Sequence, residues 1–294
     1  MNLRRTMLFM PGNNPHMLLN ADIYKADSIV FDLEDAVSVN EKDAARDLVR
    51  NALKYNEYGC EVGVRVNHIS TPFGYDDLEA MMSVKPDFLR LPKSETVEDI
   101  VKVDEFVTNA EARYGYDAGS VKFVLTIETA LGIINAYALA KSSKRVVAMG
   151  IGAEDFAADM QANRSREGKE ILFAKSQLLL SARAAKIQAL DNVFADVNDV
   201  DAFIAETQLG KDLGFDGKSV IHPSQIPLVH RIYAPSEAEL AKAKLILAAY
   251  DEAMANKSGV IALNGKMIDG PIVKRAERAL CYAQAIGMQG GLEK

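Results

Sequence analysis

The feature that most restricts the fold of this chain is a repeated alternation of short apolar runs with helical stretches. Eight runs rich in Val, Ile, Leu or Phe, bounded by polar or turn residues, read as strands: Met7–Met10, Ser28–Phe31, Val62–Val66, Phe88–Leu91, Lys122–Ile127, Arg145–Met149, Asn192–Phe194 and Ser219–Ile221. Between them, Glu41–Tyr55, Glu95–Tyr114, Ala130–Ala140, Glu170–Leu190 and Val200–Leu213 carry apolar residues at three- and four-residue spacing, the pattern of helices with one buried face. Eight βα units imply an α/β fold, a (β/α)8 TIM-type barrel, with a doubly wound open sheet as the alternative. The chain of 294 residues suffices for it, because α/β barrels of about 250 residues form one domain. Residues 1–233 are expected to form the barrel and 234–294 a C-terminal helical extension. The extension reads as a helix over Ser236–Asn256, a run at Gly259–Leu263, a turn from Gly265 to Gly270 and a last helix over Pro271–Ile286. It packs on its own barrel or reaches a neighbouring subunit.

Charge and cysteine content remove several classes of function. Basic residues number 34 and acidic residues 41, intermixed along the chain for a net charge of −7, so no basic footprint for nucleic acid is present. Cys60 and Cys281 are the only cysteines; they have neither zinc-ligand nor disulfide-framework spacing and fit a reducing compartment. The N-terminus runs from Met-Asn-Leu-Arg-Arg-Thr straight into a strand-like segment, with no apolar core and cleavage site of a signal peptide. No stretch approaches the roughly 20 apolar residues that span a membrane. The expectation is a cytoplasmic protein without nucleic-acid or membrane partners.

A barrel gathers its chemistry at the carboxyl ends of its strands. The residues that follow the predicted strands are Pro11-Gly12-Asn13-Asn14, Asp32-Leu33-Glu34-Asp35, Arg65 with Asn67, Pro92-Lys93-Ser94, Glu128, Glu154-Asp155, Asp196 and His222-Pro223. One acid after a strand is ordinarily a helix cap or a surface pair. Seven or eight polar ends converging on one rim make an active site. Two apolar runs there end on acids: Phe123–Ile127 on Glu128, and Val146–Ala153 on Glu154 and Asp155. Glu128 and Asp155 offer oxygen ligands only, with no His or Cys nearby in sequence, and so favour Mg2+ over zinc or copper. Two protein carboxylates would leave positions for water and for the five-membered chelate of a 2-keto or 2-hydroxy acid. Arg65 could fork onto a carboxylate or stabilise a developing enolate. Metal and arginine together suggest making or breaking a carbon–carbon bond beside a keto acid. A Schiff base at Lys93 is the weaker reading, since nothing in sequence supplies the dry pocket it needs; a salt bridge or phosphate contact suits Lys93 better.

The motifs Leu8-Phe-Met-Pro-Gly-Asn-Asn-Pro15, Phe31-Asp-Leu-Glu-Asp-Ala-Val37, Val64-Arg-Val-Asn67, Arg90-Leu-Pro-Lys-Ser-Glu-Thr96, Ile127-Glu-Thr129, Gly152-Ala-Glu-Asp155, Gly214-Phe-Asp-Gly-Lys-Ser219 and Asn264-Gly-Lys-Met-Ile-Asp-Gly270 span nearly the whole chain. In these the chain resembles the citrate lyase β-subunit family, within the metal-dependent barrel superfamily that includes malyl-CoA and citramalyl-CoA lyases. The resemblance implies a homo-oligomer that cleaves a citryl thioester on an acyl carrier protein to oxaloacetate and the acetyl thioester, in a complex with acyltransferase subunits. It also implies that Glu128 and Asp155 are Mg2+ ligands and that Arg65 contacts substrate, with Asp32 and Lys93 beside it and Pro11, Gly12 and Asn13 near the pantetheine arm. Asp269, in turn, would be an acid that enters from an adjacent subunit and moves a proton; from position alone it is a turn acid before Gly270. A stand-alone citramalyl-CoA or malyl-CoA lyase is the alternative. A non-enzymatic scaffold would be expected to lack an acid at 128 or 155, and both are present.

Overall fold

Eight parallel strands close into one barrel in the computed structural model, which describes residues 3–255, 262–263 and 266–288. They are β1 (Thr6–Pro11), β2 (Ser28–Asp32), β3 (Glu61–Arg65), β4 (Phe88–Leu91), β5 (Lys122–Ile127), β6 (Val146–Ile151), β7 (Gln188–Asp191) and β8 (Gly217–Val220), with β8 pairing back onto β1. Strands of a parallel barrel are covered on both faces and so read as continuous apolar runs. Ile29, Val30 and Phe31 are all buried, as are Phe123, Val124 and Leu125. Met7, Val30, Phe88, Val124, Ala148 and Leu190, one from each of six strands, form a single cluster. The predicted barrel is the observed one.

Local chemistry sets the helix ends. Thr96 and Thr129 cap the helices Val97–Tyr114 and Ala130–Lys141, accepting from Asp99 N at 3.3 Å and Gly132 N at 3.1 Å. Gly115 and Gly214 end their helices in the left-handed conformation. Four helices went unpredicted: Pro15–Leu19, Gly74–Met82, Ala153–Asp159 and Gln225–Tyr233. None exceeds nine residues, shorter than the window of about 11–18 over which a helical pattern can be read.

One strand lies elsewhere than predicted. The helix expected over Glu170–Leu190 ends at Ala185, because Lys186 turns left-handed at φ 63°, and β7 occupies Gln188–Asp191 rather than Asn192–Phe194. Gln-Ala-Leu-Asp contains no β-branched residue and continues the helical spacing, so sequence pattern hides the strand. The end of β7 is therefore the buried Asp191, held by Lys175 at 2.7 Å, and not the exposed Asp196. The β8 strand likewise starts two residues before its predicted position.

The chain divides into two compact units, Arg4–Val229 with the barrel, and the segment from His230 onward. In the second, the helices Glu237–Ala255 and Gly270–Ala285 pack through Leu240, Ala243, Ile246, Val273, Ala276 and Leu280, with Ile268 between them. Of the expected Gly259–Leu263 run, Ala262–Leu263 pairs antiparallel with Lys266–Met267, while Gly259 to Ile261, Gly265 and Asn256 lie outside the described residues. Among the described residues no helix is long and apolar enough to cross a membrane.

The amino-terminal end of the barrel is closed by ion pairs. Arg145, just before β6, forks onto the buried Glu111 at 2.6 and 2.7 Å, and Val121 N and Gly119 N donate to the same carboxylate at 3.0 and 2.7 Å. Burial raises this carboxyl, but Arg145 and the two N–H donors outweigh it and bring the pKa down to about 2, from 4.5. A depressed folded pKa stabilises the fold at pH above 4.5, and that stability is lost as pH falls toward 2. Glu111→Gln is expected to remove stabilisation on the order of 3 kcal/mol near neutrality. Chemical denaturation at pH 7 and pH 3 should show a wild-type/variant gap that narrows in acid; a gap independent of pH would sink the assignment.

Candidate functional site

The carboxyl-terminal rim begins with a register. Along the sheet Pro11 pairs with Asp32, Asp32 with Arg65, and Arg65 with Arg90, so three charged residues stand on adjacent strands at one level. Asp32 accepts both prongs of Arg65, Nε at 2.8 Å and Nη2 at 2.6 Å, and also takes Glu34 N at 2.9 Å and Ala36 N at 3.3 Å. The third nitrogen of Arg65 lies 2.8 Å from Glu34 Oε2, without the alignment of a hydrogen bond, and 3.4 Å from Asp35 Oδ2. Burial pulls the Arg65 pKa down, but Asp32, Glu34 and Asp35 outweigh it and raise the pKa above that of a free guanidinium.

Lys93 follows β4 with a left-handed backbone, φ 48°, which a side chain with a Cβ seldom adopts and which clusters at functional sites. Its ammonium pairs with Glu34 Oε1 at 2.8 Å and its N–H donates to Glu128 Oε2 at 3.3 Å. The Glu34 hydrogen bond raises the Lys93 pKa, the opposite of what a Schiff-base nucleophile needs, and the ammonium is half exposed. Lys93 is thus a salt-bridge residue. Burial raises the Glu34 carboxyl despite Arg65 and Lys93.

Glu128 ends β5 and is 2% exposed. Burial, then the carboxylates of Glu34 and Asp155, push its pKa up to about 8, against Arg65 and Lys93. The backbone after β6 makes room for it. A Cβ on Gly152 would lie 2.5 Å from Glu128 Cγ and 2.9 Å from its Oε1. Asp155, three residues on, is exposed. The neighbouring Glu154, by contrast, is held by Arg164 at 2.9 Å. Asp32, Glu34 and Asp35 are likewise tied to Arg65 and Lys93, which leaves Glu128 and Asp155 as the rim carboxylates without an ion pair among the described residues. No cluster of three or more His, Cys, Asp or Glu spaced for a metal is present among the described residues. A pair of uncompensated carboxylates fits a Mg2+ ion that keeps several positions for water and substrate oxygens.

The Pro11–Asn14 turn is built around Gly12. Its N–H donates to Asp32 O at 2.8 Å, and a Cβ there would meet the same oxygen at 2.7 Å. Asn13 donates to Glu41 Oε2 at 2.9 Å, and Asn14 caps the helix Pro15–Leu19. The close approach that glycine allows is therefore to the chain's own β2 strand. Asp269 belongs to the C-terminal unit, where it is the N-cap of the last helix and accepts from Ile272 N at 3.2 Å. Sequence reasoning placed Glu34 on the rim without a role and passed over Gly152; the signal available for the latter was its place in the Gly-Ala-Glu-Asp motif.

A closed barrel with a carboxylate-and-arginine rim defines the class: a (β/α)8 protein whose site suits oxyanions and a hard cation. The chain belongs to the HpcH/HpaI aldolase/citrate lyase family, which it matches over residues 5–223. It is 47% identical to the citrate lyase subunit beta of Leuconostoc mesenteroides subsp. cremoris, covering 96% of this chain and 94% of that one. A Mycobacterium tuberculosis protein solved with magnesium, acetoacetate and coenzyme A is 30% identical over 96% of this chain and 98% of its own, with a TM-score of 0.79. A citrate lyase beta subunit from the same organism, complexed with oxaloacetate and magnesium, is 31% identical with a TM-score of 0.68, over 80% of this chain and all of its own (100%).

The Gly152 contact yields a direct check. Gly152→Ala is expected to displace the Glu128 carboxylate and weaken Mg2+ binding by roughly tenfold or more, as changes around a metal ligand do. Calorimetric titration with Mg2+ measures this; unchanged affinity in a folded variant would show that Glu128 is not a ligand.

Proposed function

We propose that the chain is the carbon–carbon lyase subunit of a citrate lyase complex, cleaving a citryl thioester on an acyl carrier protein to oxaloacetate and the acetyl thioester. The observation that supports this best is the rim itself: Glu128 and Asp155 lack an ion pair beside an arginine and a lysine, in a chain nearly half identical to a citrate lyase subunit. Mg2+ held by Glu128 and Asp155 would supply Lewis-acid stabilisation of charge on the 2-oxo oxygen. The remaining steps fall to the chain's own residues.

Arg65, oriented by Asp32, presents positive charge to the substrate's carboxylates and to the oxyanion that develops during cleavage. Lys93, oriented by Glu34, adds a second cation at the open side of the rim. A base, Asp269 of an adjacent subunit or another rim acid, takes the proton of the tertiary hydroxyl. The C–C bond then breaks, its electron pair passing to the carbon α to the thioester and onto the thioester carbonyl oxygen as an enolate, while the alkoxide becomes the ketone of oxaloacetate. Protonation of the enolate completes the acetyl thioester. Pro11, Gly12 and Asn13 border the rim from β1, and Asn13 would meet the pantetheine arm through its side chain, since the Gly12 N–H is already donated. Acyltransferase and carrier subunits are the partners this role requires, in a cytoplasmic homo-oligomer.

Glu128→Ala and Asp155→Ala are each expected to lower turnover of the citryl thioester by roughly a hundredfold or more while leaving the melting temperature within a few degrees. Retained turnover at saturating Mg2+ would remove the metal assignment. Asp269→Asn should lower kcat with little change in KM, and mixing it with an active-site-dead Glu128→Ala protein should restore activity if the acid crosses between subunits. Failure of the mixture confines the base to its own chain. Comparing citryl, citramalyl and malyl thioesters on coenzyme A and on carrier protein separates this reading from a stand-alone CoA lyase.

A further inference from the structure

A second guanidinium lies on the strand next to Arg65, and no carboxylate takes it. Arg90 is registered between Arg65 on β3 and Val124 on β5, and its side chain is 2% exposed. Nε donates to Thr126 Oγ1 at 2.9 Å and Nη1 lies 2.9 Å from Met7 Sδ. The guanidinium rests over the Phe9 ring at 4.8 Å, the ring that Arg65 also covers at 5.3 Å. A Cβ on Gly150 would stand 3.1 Å from Nη2, so the β6 backbone leaves Arg90 its space. Among the described residues Arg90 forms no ion pair.

Such a residue needs a reason. An unpaired buried charge destabilises a fold, and burial, reinforced by the charge of Arg65, pulls the Arg90 pKa down to about 9. Packing does not supply the reason, because a methionine of similar length would fill the space beside Met7 and Phe9 without the cost of desolvation. The rim supplies one. Arg65 and Lys93 face the substrate with their charge partly offset by Asp32 and Glu34. Arg90 has no such partner and adds an uncompensated charge in the field of Arg65, Glu128, Asp32 and Glu34.

We propose that Arg90 is a positioning residue for anionic substrate: an unpaired cation beside Arg65 whose field helps hold the dicarboxylate half of the substrate, to which Arg65 and Lys93 bring charge partly offset by their own carboxylates. Charge fixed in a dry interior acts more strongly than the same charge in water and does not reorganise when the ligand arrives. The proposal rests on reading the rim as a keto-acid site.

Titration of oxaloacetate into the Mg2+-loaded wild type, Arg90→Met and Arg90→Lys, with a thermal melt of each, tests it. Arg90→Met should bind roughly tenfold or more weakly yet melt at the same or a higher temperature, and Arg90→Lys should recover much of the affinity. Equal affinity in Arg90→Met overturns the proposal. So does a fall in melting temperature, or a failure to fold, in Arg90→Met, because the arginine would then be structural. Absence of binding by the wild type is a different outcome: it overturns the keto-acid reading, and this inference with it.

Discussion

The rim is organised by one bidentate ion pair, Asp32 with Arg65. Their strands are parallel neighbours in register, so the two side chains leave the sheet at the same level and meet without reaching. Two backbone N–H groups of the following turn hold the aspartate, and the aspartate holds the arginine. A continuous sequence of contacts then crosses four strands: Arg65 to Glu34, Glu34 to Lys93, and the Lys93 N–H to Glu128. Removing either member of the first pair would leave a buried charge uncompensated, at a cost of about 3–5 kcal/mol. Glu128 is thus linked, through Glu34 and Lys93, to a pair two and three strands away.

That arrangement has a chemical consequence. Cations spent on the protein's own carboxylates are orienting devices as much as binding groups, and they leave Glu128 and Asp155 without an ion pair among the described residues. Glu128 is placed by the absence of a side chain at Gly152, and Asp155 by the start of the short helix Ala153–Asp159. Glu154 faces Arg164 instead and stays outside the site. Adjacent acids in one motif therefore have separate roles, decided by which of them finds an arginine.

Much of this was legible in the residues. Apolar runs ending on Glu128 and on Glu154-Asp155 gave both the strands and the level of the rim, because burial stops where a carboxylate must be solvated or bound. Periodicity failed at Gln188–Asp191, where the helix stops through the left-handed Lys186 and not through glycine or proline. It failed again at the four short helices, none longer than nine residues, which offer too few positions for a periodic apolar face to stand out. Pairing within the rim was not legible at all. Arg65 could be chosen from sequence as a substrate fork, but that its fork is already occupied by Asp32 depends on register between strands 33 residues apart. Arg90 entered the sequence reading only as the first residue of Arg90-Leu-Pro-Lys-Ser-Glu-Thr96, and sequence cannot say whether such a residue meets a carboxylate.

The two ends of the barrel treat charge differently, and the contrast locates function independently of any motif. At the amino-terminal end, Arg4 meets Glu61 at 2.6 and 2.7 Å, Ser28 adds a bond to the same glutamate, and Arg145 is taken by Glu111, Asp104 and Thr108. Each guanidinium there has a carboxylate. At the carboxyl-terminal end, Glu34 Oε2 lacks an aligned donor, Glu128 is buried among other acids and Arg90 has no counter-ion. Every one of these costs stability, and together they sit within one ring of strand ends. A barrel selected for stability alone would have paired or removed them, as it did at the other end. Their concentration at the rim is what a site looks like when its missing charges are supplied by what it binds.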